Sequence, residues 1–240
     1  MKKLIEILQR ERTLTPEEVT TFTALEEMLD SKLDGANYYD GGKVHYMSMG
    51  SRSRITSHPI LPGPCYGYTV VETEMIDVAA WLFNQGGRER SNVFQEERQN
   101  NEVLHYSVNK LDTHSHIFQY LNHFKHLHRG VSFAVSVKRT IRKRSDDCFE
   151  ISEKDCGDSL VDMKLLKFSK VLSHCLLRVT RMAPIGLIPQ TKVEYWSKHS
   201  SRRLNFPSNF SAKHVSKEVR AEKARVLDVD NSFRPLCCWC

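Results

Sequence analysis

VSFAVSVKRTIRKR, the segment at residues 131–144, decides the fold. Phe133, Val135 and Val137 alternate with small or polar residues, and this period of two predicts a β-strand with one apolar face. Several other segments have the β-branched and aromatic content of strands. These predicted strands cover residues 44–49, 66–73, 103–108, 116–120, 148–151, 172–182 and 191–196.

The predicted strands between residues 103 and 196 follow one another at short, hairpin-like spacing, without a helical pattern between them. Parallel strands need long crossover connections, so this spacing predicts an antiparallel sheet.

Helical patterns occur before, within and after the strands. Thr15, Pro16 and Glu18 predict a helix start in the N-terminal region, because Thr15 can cap, Pro16 suits the first helical position and Glu18 completes a capping box. Apolar residues recur at helical spacing from Met75 to Phe83 and within residues 208–227, and we predict helices at residues 75–85 and 208–227. We therefore predict an α+β fold in which a curved sheet wraps around the last helix and leaves an apolar space beneath it.

The predicted domain organisation follows from this order. We assign residues 1–36 to an N-terminal helical extension, residues 37–227 to one domain and residues 228–240 to a C-terminal tail. A chain of 240 residues suits one or two domains.

Composition places the chain among cytoplasmic proteins, with peripheral membrane association left open. Charged residues interrupt the N-terminal apolar stretch, and no run approaches the ~18 apolar residues of a membrane-spanning helix. The seven cysteines are an odd number without a zinc-binding spacing, which favours reduced thiols. The cysteines at Cys237, Cys238 and Cys240 leave lipid modification open.

The sequence contains no motif for catalysis, so we predict no enzymatic activity and no cofactor. It lacks G-x-S-x-G and a phosphate-binding glycine loop. His114 and His116 would share one side of a strand, but their surroundings match no zinc spacing, so we predict exposed hairpin histidines without a metal. An enzyme would need a polar group aimed into the cavity, and the two candidates, His174 and Arg178, fall on the opposite strand face from Leu177 and Val179.

The basic run at residues 138–144 is the main local charge feature of a chain whose net charge is +6. We expect it to form a hairpin tip. A solvated turn, a nuclear import signal, a nucleic-acid patch and a contact with anionic lipid all fit such a run. We predict no nucleic-acid partner and assign the membrane contacts to Lys138, Arg139, Arg142, Lys143 and Arg144.

Residues 76–83, IDVAAWLF, followed by Arg-Glu-Arg at residues 88–90, resemble the first helix region of START-like domains in algal and oomycete proteins. Further similar positions are Asn109, His116, Arg129, Phe133 and the G-x-I-P turn at residues 186–189. The resemblance implies the helix-grip fold of the START/Bet v 1-like superfamily, a curved antiparallel sheet around a long C-terminal helix. Members of this superfamily bind lipids or other apolar molecules between the sheet and the helix.

The leading hypothesis is therefore a lipid-binding or lipid-transfer module with an apolar small molecule as its partner. The alternative is an interaction or scaffold protein of the same fold, whose core is closed and whose basic tip or N-terminal helix binds a partner. Strand alternation gives the side chains expected to line the cavity: Phe133, Val135, Val137, Cys175, Leu177, Val179, Val193 and Tyr195.

Overall fold

A computed structural model describes residues 2–10, 12–33, 43–47, 54–57, 65–84, 95, 103–124, 131–156, 169–170 and 172–200. The predicted C-terminal helix at residues 208–227, the tail at residues 228–240 and the domain boundary at residue 36 lie outside these residues. The same holds for the three cysteines near the end of the sequence.

Three helices have described bounds: α1 (Lys2–Leu8), α2 (Pro16–Leu33) and α3 (Met75–Phe83). The predicted start of α2 is confirmed, because the Glu18 amide donates to Thr15 Oγ1 at 3.3 Å and the Thr15 amide donates to Glu18 Oε2 at 3.0 Å. These reciprocal bonds satisfy two backbone donors that a helix N-terminus otherwise leaves without partners. The helix predicted at residues 75–85 is also confirmed, and it ends at Phe83.

All of the predicted strands are present, and those after residue 100 are longer than the patterns indicated. Their bounds, with two strands that were not predicted (β2 and β8), are β1 (Lys43–Met47), β2 (Arg54–Ser57), β3 (Cys65–Val71), β4 (Val103–Lys110), β5 (Ser115–Phe124), β6 (Val131–Ser145), β7 (Cys148–Asp155), β8 (Ser169–Lys170), β9 (Leu172–Ile185) and β10 (Ile188–Ser200).

The described strands form one sheet in the order β1-β2-β3-β10-β9-β7-β6-β5-β4. Every neighbouring pair along this order is antiparallel, as predicted. β8 departs from the prediction, because it pairs in parallel with Phe133 and Ala134 of β6. The pairing of β7 with β6 stops at Val137, so β8 occupies backbone hydrogen-bonding positions that the shorter β7 leaves open.

The sheet buries both of its faces, each against a different helix. On the first, here called the α3 face, α3 packs with residues such as Ile151 and Leu177, and Leu8 of α1 joins the same cluster. On the opposite face, here called the α2 face, Phe22 and other residues of α2 pack against the sheet. The second cluster consists of Phe22, Leu25, Leu176 and Trp196, with Leu14 and Tyr68 at its edge.

Ion pairs with the basic run hold α2 on its face of the sheet. Arg142 lies 2.7 Å from Glu26, and its guanidinium stands over the Phe22 ring at 4.1 Å from the ring centroid. Lys138 lies 3.2 Å from Glu18 at the start of the helix. Strand and helix therefore share an apolar contact flanked by complementary charges.

We predict that Phe22→Ala lowers the free energy of unfolding by about 3–5 kcal/mol, because it removes a fully buried ring and leaves a cavity under α2. Urea unfolding of the two proteins measures this change. Thr23→Ala is the control, since Thr23 is exposed on the same helix and its change should stay within about 0.5 kcal/mol. Equal midpoints for Phe22→Ala and Thr23→Ala would contradict the packing described here.

Candidate functional site

The side chains predicted to line a cavity lie on the α3 face, where the structure describes them. Register places Val193 opposite Val179 and Tyr195 opposite Leu177. Seven of the eight are described, and none is more than 4% exposed: Val135, Val137, Cys175, Leu177, Val179, Val193 and Tyr195. The backbone of Phe133 belongs to β6, but its side chain lies outside the described part of the chain.

Five of these seven residues form solid core beneath α3. Cys175, Leu177, Val179, Val193 and Tyr195 belong to the cluster that includes Val78 and Leu82 of the helix. Tyr195 Oη donates to Cys175 Sγ at 3.2 Å, so even the polar atoms of this group are used inside the core. The space in front of these five predicted lining residues is therefore filled by side chains of α3.

Val135 and Val137 lie further along β6, outside both clusters formed by described residues. Register pairs them with Tyr120 and Phe118, whose ring centroids are 5.1 Å apart. All four side chains are buried, and we call this group the β5–β6 patch. Sequence reasoning predicted strand β5 but did not single out Phe118 and Tyr120. Their spacing of two residues from His116 and from each other indicates that all three share one face of the strand.

A buried ion pair continues the same face beyond Val137. Arg139 Nε donates to Glu153 Oε1 at 2.6 Å, and Arg139 Nη2 donates to the same oxygen. Arg139 Nη1 donates to the carbonyl oxygen of Leu82 at 2.7 Å, near the C-terminus of α3 where carbonyls lack helical partners. The pair therefore anchors the end of α3 to the sheet.

The prediction that Arg139 is a surface contact is wrong. The side chain is only 6% exposed, because alternation along β6 puts it on the α3 face two residues after Val137. Its charge is stabilised by Glu153 rather than by solvent.

The other four cations of the basic run bind carboxylates within the chain. The hairpin turn itself lies at Asp146 and Asp147, beyond the run, and Lys143 and Arg144 are the exposed members of the run. Membrane contact by the run stays a prediction. The observed ion pairs are Lys138–Glu18 at 3.2 Å, Arg142–Glu26 at 2.7 Å, Arg142–Glu150 at 2.6 Å, Lys143–Asp146 at 2.6 Å, Arg144–Glu26 at 3.2 Å and Arg144–Glu150 at 3.0 Å.

His114 and His116 are buried, so the prediction of exposed hairpin histidines is wrong. The His116 ring contacts Phe83 at a centroid distance of 4.8 Å. Burial, together with the positive charge of Arg139, lowers the pKa of His116 to about 3, so this imidazole is neutral at pH 7. His116 Nε2 has no hydrogen-bond partner among the described residues. Among those residues, no group of three or more His, Cys, Asp or Glu side chains could hold a metal ion.

Both polar side chains weighed for catalysis, His174 and Arg178, lie on the α2 face, away from the residues predicted to line a cavity. Arg178 lies on the α2 face, as predicted, where its Nε donates to Glu150 at 2.8 Å. His174 shares that face by strand alternation. Burial, with the nearby charge of Glu153, raises the pKa of Cys175 well above its usual value, so its sulfur stays protonated and weakly nucleophilic.

Comparison with solved structures identifies the architecture. The human StarD13 (DLC2) lipid transfer and protein localization domain has a TM-score of 0.52 at 15% identity, covering 88% of this chain and 98% of that domain. Human StAR-related lipid transfer protein 5 has a TM-score of 0.58 at 11% identity, covering 88% and 93%. Human STARD10 has a TM-score of 0.57 at 11% identity, covering 93% and 84%.

The chain has a START-like fold. This finding confirms the predicted α+β class and the resemblance to START-like domains. The particular likeness to algal and oomycete proteins stays a prediction. No protein-family model matches the sequence, and no curated protein matches it either.

This START-like fold also carries a polar cleft of about 840 Å³ between the α1–α2 connection and the β6–β7 hairpin. Five cations and two carboxylates line it, so its chemistry differs from that of the predicted apolar cavity. These charged residues are Arg10, Arg12, Arg142, Lys143, Arg144, Glu26 and Asp146. None of the helices in the described ranges is both long enough and apolar enough to cross a bilayer.

We predict that His116 makes the protein less stable in mild acid. The unfolded state takes up a proton below pH ~6.5, whereas the folded state does not until its pKa of about 3. The contribution of neutral His116 is thus complete above pH ~6.5 and declines as the pH falls towards 3, by about 2 kcal/mol between pH 7 and pH 5.

Urea unfolding at pH 7 and pH 5 measures this linkage in the parent protein and in His116→Phe. The variant should lose about 2 kcal/mol less than the parent over this interval, because phenylalanine does not titrate. The same pH dependence in both proteins would show that His116 does not carry it.

Proposed function

We propose that this chain is a non-catalytic lipid-binding or lipid-transfer module. It holds one apolar ligand on the α3 face of the sheet, against the β5–β6 patch. The buried apolar patch that lies away from the solid core under α3 carries this proposal. The similar structures support it in part, since the StarD13 domain and human StAR-related lipid transfer protein 5 are both named for lipid transfer.

Ligand binding at this patch would proceed by burial. Removing apolar surface from water contributes about 25 cal/mol per Å², and the aromatic rings of Phe118 and Tyr120 offer large surfaces for it. His116 lies on the same face, next to Phe118 in the alternation, and its Nε2 can bond one polar atom of an otherwise apolar ligand. A neutral imidazole suits a hydroxyl or carbonyl group better than a charged one.

The cytoplasm is the compartment that we propose for this module. Cys148 and Cys175 are not joined in disulfides, and both lie within the packed sheet. Burial raises the pKa of each thiol, which keeps it in the unreactive protonated form.

A closed-core interaction protein is the second candidate. The packing of Cys175, Leu177 and Val179 beneath α3 favours it, because these predicted cavity residues contact protein instead. In this case the β5–β6 patch would also be filled by the protein itself, and α2 or the basic run would bind a partner. The two candidates differ in what a larger side chain at the patch would contact: the space of a ligand in the first case and packed protein in the second.

Val135→Trp separates the two candidates, with Val179→Trp as the matched control. If the patch borders a ligand site, the indole of Val135→Trp occupies that space and blocks uptake of a fluorescent lipid, with a near-native urea midpoint. Val179→Trp overpacks the core under α3, so it should cost about 1–3 kcal/mol.

Fluorescent-lipid binding and urea unfolding are measured on the parent and on both variants. Lost binding in Val135→Trp, with a midpoint close to that of the parent, supports the lipid module. If the parent binds no lipid and Val135→Trp loses as much stability as Val179→Trp, the closed-core protein is the better account.

A further inference from the structure

The β9–β10 hairpin extends beyond the strands on either side of it. Pairing of β7 with β9 ends at Thr180, and pairing of β3 with β10 ends at Thr191. The pairing between β9 and β10 continues to Ile185 and Ile188. Residues 181–190, here called the finger, therefore project about 15 Å past these neighbouring strands, at about 3.4 Å per residue.

The tip of the finger exposes three aliphatic side chains at one point. Leu187 is 100% exposed, Ile185 is 55% exposed and Ile188 is 48% exposed. Gly186 has a φ of +62°, which allows the tight two-residue turn that places Leu187 at the end. Isolated exposed aliphatic residues are ordinary, but three of them together on a projecting turn form an apolar surface that favours burial.

Cations lie at the base of the finger, at the same end of the sheet. Arg181 lies at the base of the finger, and its amide donates to the carbonyl of Asp147 in the neighbouring β6–β7 turn. Lys143 and Arg144 are exposed just before that turn. Asp146 and Asp147 pair with Lys143 and Arg181, but they are themselves largely exposed, and surface pairs of this kind are weak enough for other anions to replace.

We propose that the finger is a membrane-docking element for bilayers that contain anionic lipid. Leu187, Ile185 and Ile188 enter the interfacial layer, while Arg181 and Lys143 contact lipid headgroups. This proposal does not depend on a ligand in the interior, because a protein with a closed core could dock in the same way.

The shape of the finger favours a bilayer over a protein partner. Three side chains on a convex tip offer far less surface than the roughly 1,600 Å² that a standard protein interface buries. A bilayer accepts such a tip, because the backbones of Ile185 and Ile188 pair with each other across the hairpin. Their polar backbone groups therefore need no partner from the membrane. Pairing with a second copy is disfavoured by Pro184 and Pro189, which lack amide donors, and by the irregular register between Ile188 and Gln190.

Cosedimentation of the full chain with vesicles tests the proposal. The vesicles contain phosphatidylcholine and phosphatidylserine at a ratio of about 4:1, a composition whose surface potential attracts basic residues. Leu187→Asp should lower the partition coefficient about tenfold or more, because it removes a large apolar side chain from the bilayer. Val19→Asp is the matched control, since Val19 is 46% exposed on α2 and gains the same charge away from the finger. Its partition should stay within about twofold of the parent.

Leu187→Trp gives an independent readout. Lipids brominated in their acyl chains should quench the new indole more strongly than they quench the parent's tryptophans. The proposal is overturned if the parent does not cosediment, if Leu187→Asp and Val19→Asp partition alike, or if the new indole is not quenched. Sedimentation velocity without vesicles supplies a further test, because a dimer in the parent that Leu187→Asp dissociates would show that a second copy covers the tip.

Discussion

The alternation of side chains along β9 is the constraint on which the rest of the structure depends. Leu176 and Leu177 are adjacent, fully buried and on opposite faces of the sheet. A strand that is apolar on both faces needs a cover on each. The chain provides α3 for the face of Leu177 and α2 for the face of Leu176, and β10 repeats the requirement with Tyr195 and Trp196. The candidate ligand site is the β5–β6 patch, which lies on the same face of the sheet as α3 but outside the cluster that α3 covers.

The same alternation divides the basic run between the two faces. Lys138 and Arg142 point to the α2 face and bind carboxylates of that helix, whereas Arg139 points to the α3 face and binds Glu153 and the end of α3. A row of like charges, which in sequence resembles a surface patch, thus helps to fix both helices. The sequence does indicate that Arg139 shares a face with Val137, because the two residues are two positions apart on one strand. It does not contain the positions of Glu18, Glu26 and Glu153, since these partners depend on long-range packing.

Sequence patterns predicted the strands and the start of α2 well, because both depend on local chemistry. Thr15 and Glu18 are three residues apart, and the strands carry a period of two over many residues. β2 and β8 were missed because they have four and two residues, too few for a period to show. Strand alternation placed the predicted lining residues on one face of the sheet, but it did not reveal that α3 covers five of them, because that depends on how β7, β9 and β10 lie side by side. Burial of His114 and His116 likewise follows from tertiary packing, which residue type alone does not reveal.

Native mass spectrometry of the full chain, after incubation with phosphatidylcholine vesicles and removal of the vesicles, tests the central claim most directly. That claim is that the START-like fold holds an apolar ligand on the α3 face, against the β5–β6 patch. The account predicts a complex of one chain with one lipid, which separates into the bare chain and the lipid on denaturation. Spectra that contain only the bare chain, from protein whose urea unfolding is cooperative, would contradict it.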